Sequence, residues 1–306
     1  MASIIWDFFG YRSDDNSEGA KSAIEKEYCP YIETKCEKTF NDRTIAGVCS
    51  VKPMTSGPVI CCPIRLYADG YKVLQDVSDA AFIPGLPLVP GKEALVYAKK
   101  HMRECVAVFG QRWGGELRLP QKDGKRSYFV DWILARVSGD GELIEFVAVE
   151  VQTIDTTGNY RNGYEALRAS HSIVKTTAGL NWENVSKRIL PQLIYKGQVL
   201  QREELCKKGL FFICPEPVFK RVADRLGGQQ GLSRYPLQPA SLTFLAYDYC
   251  DKAESSVDGI SLGLRQTASH STTVYKVQEA FNNVTLPQEN VYQRAILKAL
   301  NTSTLL

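Results

Sequence analysis

The clearest alternation of apolar and polar positions lies in the middle of the chain. Glu116-Leu-Arg-Leu119 alternates like a short strand, and Asp123-Gly124 follows as a turn. Ser127 to Val137 is rich in aromatic and β-branched residues. Asp140-Gly141 makes a second turn, and Leu143 to Thr153 is a third strand-like run. Asp-Gly between such runs is a strong hairpin signal, because a tight hairpin turn needs positive φ. The pattern predicts a three-stranded antiparallel meander over 115–153. Helical stretches follow at Tyr160–Val174 and Val185–Leu205, the second kinked or started by Pro191. Val218–Leu226 reads as a helix ended by Gly227-Gly228, and Gln288–Leu300 as a terminal helix. Leu210–Cys214 and Leu242–Tyr249 are short continuous apolar runs, the signature of buried strands. This mixture predicts an α/β or α+β fold around one central sheet.

The flanks are less regular. Residues 1 to about 75 are short apolar runs broken by Pro30, Gly47, Pro53, Pro58 and Pro63, so they need a source of order other than periodicity. Residues 80–92 hold three prolines and two glycines and read as a connector. The expected division is a segment over 1–80 and a second part over 81–306 that carries the chemistry.

Composition narrows the function. A chain of 306 residues, 44% apolar, can bury a core without disulfide staples. A net charge of +3 excludes a polyanion binder driven by overall charge, but not a local basic face. No signal-peptide pattern and no transmembrane-length apolar run occur, so the expectation is a cytoplasmic chain with no membrane partner. In a reducing compartment nine cysteines are not a disulfide framework. Cys105, Cys206, Cys214 and Cys250 are scattered and read as small buried hydrophobes. Cys29, Cys36, Cys49, Cys61 and Cys62 fall within 34 residues. The spacing C-x6-C-x12-C-x12-C through Cys62 differs from the paired C-x2-C of a zinc ribbon. Two readings stand: a tetrathiolate that orders the proline-broken segment, or reduced packed thiols. Tetrahedral sulfur suits zinc and iron alike. Adjacent Cys61 and Cys62 point differently, so one of the two is the expected ligand.

With three histidines in the chain, carboxylates are the chemistry to look for. Strand alternation sets Ala148, Glu150 and Gln152 on one face and Val147, Val149 and Val151 on the other. A carboxylate in a valine-rich strand is costly to bury unless it binds a cation or is paired. Asp131 on the preceding strand and Glu116 on the one before are similarly placed. Convergent carboxylates suit a hard divalent cation such as Mg²⁺. Solvated strand ends are the plain alternative. A glycosidase pair is another, but it leaves the Glu-x-Gln pairing unexplained. Asp131 followed by Glu150-x-Gln152 matches the PD-(D/E)xK pattern, with Gln in place of the final Lys.

Longer strings carry a more specific likeness. Phe8-Phe-Gly-Tyr-Arg12, Cys29-Pro, Cys36, Gly47-Val-Cys49, Cys62-Pro-Ile-Arg65, Gly114-Gly-Glu-Leu117, Asp131-Trp-Ile-Leu-Ala135, Val149-Glu-Val-Gln-Thr153, Gly158-Asn-Tyr160 and Asn184-Val-Ser-Lys-Arg188 run in this order across residues 5–225. In these the chain resembles type II restriction endonucleases of the NotI and EagI kind. The resemblance implies a PD-(D/E)xK restriction-endonuclease-like core, a central mixed sheet flanked by helices. It implies a homodimer that cuts a palindromic, GC-rich duplex with Mg²⁺, and a cognate DNA methyltransferase as genetic partner. Asp131, Glu150 and Gln152 would be the catalytic trio, and Glu116 an additional upstream acid. Cys29, Cys36, Cys49 and Cys62 would form the four-cysteine metal site, which holds iron in that family. The proline after Cys62 favours it over Cys61.

Charge is unevenly spread. Between 184 and 225 nine Lys or Arg face four Asp or Glu, a balance of +5, and Arg112 to Arg126 add +3. Such segments beside an acidic site suit phosphate neutralisation. Arg161, Asn162, Lys187, Arg188 and Gln192 follow the catalytic strand and are the candidates for DNA contact; solvated helix faces are the alternative. The other functions weighed are a metal-containing DNA-binding protein without cleavage and a structure-specific repair nuclease.

Overall fold

The computed structural model describes residues 2–115, 117, 130–250, 263–283 and 288–303. Near the N-terminus β1 (Ser3–Phe8), β2 (Tyr11–Arg12), β3 (Val48–Pro53) and β4 (Val59–Ile60) form a sheet in the order β2-β1-β3-β4. A seven-stranded mixed sheet follows: β5 (Leu88–Pro90), β6 (Cys105–Gly110), β7 (Trp132–Val137), β8 (Leu143–Val151), β9 (Leu210–Pro215), β10 (Ser241–Tyr249) and β11 (Leu264–Thr273). Its strands lie side by side in chain order. Pairs β6–β7, β7–β8 and β10–β11 are antiparallel, whereas β8–β9 and β9–β10 are parallel. The parallel pairs need crossovers. Helices α4 (Arg161–Ser170) and α5 (Leu190–Leu200) connect β8 to β9, and α6 (Glu216–Arg225) connects β9 to β10; α1 (Glu18–Glu25), α2 (Ala68–Ala81), α3 (Gly91–His101) and α7 (Val274–Asn282) lie elsewhere along the chain.

Alternation within the central strands separates two cores. Val147, Val149 and Val151 face one side with Leu134, Phe211 and Ile213, and there they meet Ile5, Phe8, Phe9, Val48 and Val51 of the N-terminal sheet. Ala148, Phe212 and Phe244 face the other side and meet Leu190 and Leu193 of α5, Val218 and Val222 of α6, and Val274 of α7. The sheet is therefore buried on both faces, which is why β9 (LFFICP) is apolar along its whole length.

The predicted strands at 143–153, 210–214 and 242–249 correspond to β8, β9 and β10, and the predicted helices to α4, α5, α6 and Val291–Ser303. Of the first meander strand at 116–119 only Leu117 is described; Glu116 and the Asp123-Gly124 turn lie outside the described residues. Besides β8, the antiparallel neighbour of β7 is β6, with Cys105 opposite Val137 and Gly110 opposite Trp132. β6 (CVAVFG) is almost wholly buried and lacks the polar alternation that marks a half-exposed strand. The expected connector at 80–92 holds β5, an edge strand in which proline is tolerated. The N-terminal stretch takes its order from packing on the central sheet. Gly47 shows how tightly: its φ is +64°, and a Cβ there would lie 2.3 Å from the Phe9 ring.

Candidate active site

β8 ends at Val151, and the chain leaves the sheet through Gln152 and Asp155. Opposite this stretch lies α5, preceded by a wide helical turn at Val185–Ile189. Residues 188, 192 and 196 are four apart and share one side of this helical stretch. They meet the strand end rung by rung. Lys196 Nζ donates to Glu150 Oε1 at 2.6 Å. Gln152 Nε2 donates to Gln192 Oε1 at 3.0 Å and to Glu150 Oε1 at 3.3 Å. Arg188 Nη1 donates to Asp155 Oδ2 at 3.2 Å, and Asn184 Nδ2 to the same oxygen at 2.7 Å.

Asp131 stands just before β7, next to the end of β8, and its Oδ2 accepts the Val151 amide at 2.8 Å. Antiparallel pairing sets Trp132 opposite Val149, which brings Asp131 and Glu150 to one end of the sheet. Trp132 is anchored beneath them by donating from Nε1 to Tyr67 Oη at 3.1 Å. Glu150 is 4% exposed. Burial and the charge of Asp131 push its carboxyl up to about 7, against the lowering effect of Lys196. Burial raises Asp131 as well, against the Val151 amide, Lys196 and Arg112. Glu150 Oε2 is buried and has no hydrogen-bond partner among the described residues. Two raised carboxylates with an unpartnered oxygen are suited to a dication, which would favour the ionised form of both.

These acids line a cleft of about 470 Å³ together with Lys38, Cys62, Arg112 and Arg188. Arg112 pairs with Glu37 and so reaches the cleft from the end of β6. On the other side of Asp131 an apolar cavity of about 510 Å³ lies along β7 and α5. Among the described residues, no three His, Cys, Asp or Glu side chains are grouped to hold a metal ion.

The wall of the cleft formed by Cys61 and Cys62 leads to the thiols. Cys29, Cys36, Cys49 and Cys62 are all buried; Cys49 feels the charge of the other three, Cys29 that of Cys36 and Cys62, and Cys36 that of Cys62. Burial first, then these neighbours, pushes the Cys29 thiol up to about 12 and raises Cys36 and Cys49. The backbone amides of Tyr31 and Ile32 point at the Cys29 sulfur, and those of Lys38 and Gly47 at Cys36. Cys61 is turned differently: its sulfur receives Lys38 Nζ at 3.3 Å and faces the Cys49 carbonyl at 3.6 Å. Amide donors aimed at clustered sulfurs fit thiolates gathered on a metal.

The model of the NotI restriction endonuclease family matches residues 16–255, which is 240 of the 306 positions. The chain belongs to that family. As a NotI-family protein it is a restriction endonuclease, a hydrolase that binds double-stranded DNA and cleaves it sequence-specifically. No curated protein matches the chain. No helix among the described residues is long and apolar enough to cross a membrane.

For a NotI-family nuclease the DNA candidates are unevenly placed. Asn162 is exposed beside the start of α4. Lys187 is exposed and paired with Glu183. Arg161 is pinned to Asp42 at 2.6 Å and lies over the Phe40 ring, which ties α4 to the N-terminal segment. Arg188 lines the cleft but is held by Asp155. Gln192 is engaged by Gln152, so it braces the end of β8 instead of facing outward. Much of the basic segment is likewise paired: Lys196 with Glu150, Lys208 with Glu145 and Lys220 with Glu216. The basic segments that hold Arg112 and Lys196 were expected beside the acidic site, but neither Lys38 nor the direct pairing of Lys196 with Glu150 was. For Lys196 a signal existed, since Gln152 leaves the motif without its cation and 196 is spaced to share a face with 188 and 192.

Proposed function

We propose that this nuclease hydrolyses the phosphodiester backbone with Mg²⁺ held by Asp131 and Glu150, in a PD-(D/E)xK-type core. The buried carboxylate pair carries this reading, with Glu150 Oε2 unpartnered and both acids raised by burial. Two carboxylates suffice, because Mg²⁺ commonly completes its octahedron with water and substrate phosphate. The cation would polarise the phosphoryl group and lower the pKa of its water. Asp131 and Glu150 orient it, and Gln152 fixes the Glu150 rotamer. Glu116, the further acid that the resemblance implies, lies outside the described residues. Lys38 and Arg112 supply positive charge along the cleft for the DNA backbone, with Arg161, Asn162, Lys187 and Arg188 as the more peripheral contacts.

Cys29, Cys36, Cys49 and Cys62 form a structural tetrathiolate holding one iron or zinc. The position of Cys49 within electrostatic range of the other three and the amides directed at Cys29 and Cys36 support it, although the four sulfurs are not drawn together as a ligand set. Metal there would fix the wall of the cleft built by Cys61 and Cys62. Each chain offers one carboxylate pair, so cutting both strands of a palindromic, GC-rich site takes a homodimer. A matching DNA methyltransferase would protect the host in a cytoplasmic restriction system.

Incubation with phage DNA tests the reading. Discrete fragments with Mg²⁺ and none with EDTA support it. Retention of DNA without cuts, or nicking confined to branched DNA, overturns it.

A further inference from the structure

We propose that Lys196 is the active-site ammonium of this nuclease, delivered by helix α5 in place of a lysine at position 152. The inference rests on the hydrolytic site proposed above. Position 152 is chemically unable to supply a cation, and its amide is committed, bridging Glu150 Oε1 and Gln192 Oε1 at 3.3 and 3.0 Å. Lys196 Nζ stands 2.6 Å from that same Glu150 oxygen. Among the described residues it is the ammonium bonded to the Asp131–Glu150 pair.

Three features make it more than a surface ion pair. Its partner is buried, and its own side chain is 21% exposed. It lines the apolar cavity together with Val130, Ile133, Val199 and Leu200, so the stem lies along apolar wall and the head is aimed at the acid. The two Glu150 oxygens are also divided, Oε1 taken by the ammonium and Oε2 left unpartnered, so a cation and Lys196 can share one carboxylate. An ammonium has three donors, and one goes to Glu150. The other two are available to a phosphate oxygen as negative charge develops on it. Lys196 forms no bond and transfers no proton in this role. Gln192, one turn before it, holds α5 in register with the strand.

The test compares wild type with K196M, K196R and the double variant K196M/Q152K on site-bearing DNA. Mg²⁺ drives cleavage and Ca²⁺ replaces it for binding. The apolar cavity accommodates a methionine, so K196M is expected to fold, and its melting temperature is recorded. The expected result is an about hundredfold slower single-turnover cleavage by K196M with Ca²⁺-supported DNA affinity within about threefold of wild type. Partial recovery, about tenfold, is expected in K196R or K196M/Q152K. Cleavage by K196M at a rate near wild type overturns the proposal. So does an equal loss of binding and cleavage, or no recovery when a cation is restored at either position. A wild type that fails to cut any DNA rejects the hydrolytic reading itself, before Lys196 is at issue.

Discussion

At the scale of single residues the decisive group is Glu150, an acid whose ionised form the fold disfavours and the chemistry needs. Its carboxyl sits at about 7, against an ordinary value of 4.5. The native state therefore holds this proton more tightly than the unfolded chain does. Its contribution to stability is largest at acid pH and is lost as pH rises from about 4.5 through about 7. Without divalent cations, E150Q should melt higher than wild type at pH 8, and the gap should narrow at pH 5. Thermal denaturation at both pH values checks this. In the proposed site the same proton would compete with Mg²⁺, so cleavage at low Mg²⁺ should rise with pH through about 7, and more Mg²⁺ should move the midpoint down. A midpoint indifferent to Mg²⁺ would disconnect Glu150 from the cation. Asp131→Asn and Glu150→Gln should each slow cleavage by about a hundredfold or more, about 3 kcal/mol of barrier, with DNA binding retained.

At the scale of elements, the site is a junction between a strand end and a helix stripe, with the cysteine segment as one wall. The strand half was legible in the sequence, because alternation forces Glu150 and Gln152 onto one face. The helix half was not, since i,i+4 spacing says which residues share a face but not what that face meets. Packing of Leu190 and Leu193 on Phe212 and Ala148 turns Gln192 and Lys196 toward Glu150. The cysteine spacing likewise left two readings open, and the fold buries positions 29, 36, 49 and 62 and sets Cys49 within electrostatic range of the other three. In the proposed tetrathiolate, Cys62→Ser should release the metal and lower the melting temperature, because such a site would contribute folding free energy directly. Cys61→Ser should leave the metal content unchanged, since its sulfur faces Lys38 and the Cys49 carbonyl. Elemental analysis of the two purified variants distinguishes them; equal metal loss would exchange their roles.

At the scale of the whole molecule, the N-terminal sheet and the central sheet share one core, with Phe8, Phe9 and Val51 against Val147, Val149 and Phe211. The sequence showed no periodicity there because the burying surface is a distant part of the chain. Asp7, buried with Arg65, accepts from Tyr249 Oη and ties β1 to β10. The near-neutral net charge also has a structural account. Basic residues 188, 196 and 208 are paired with acids 155, 150 and 145, which lie outside the basic segment. Lys38 and Arg112 line the cleft beside the acids but are engaged too, Lys38 by Cys61 and Arg112 by Glu37, so in the proposed function they would reach a phosphate only by exchanging these partners. DNA binding should still weaken steeply with salt, as displaced counterions require, and Arg112→Ala should flatten that slope; an unchanged slope would remove Arg112 from the interface.

Metal-dependent, site-specific hydrolysis by the Asp131–Glu150 pair, as proposed, is decided by the ends of phage DNA digested with Mg²⁺ by wild type and by E150Q. Wild-type ends mapping to one short palindrome, with none from E150Q, is the predicted result. Ends scattered over unrelated sequence, or the same ends from E150Q, would contradict it.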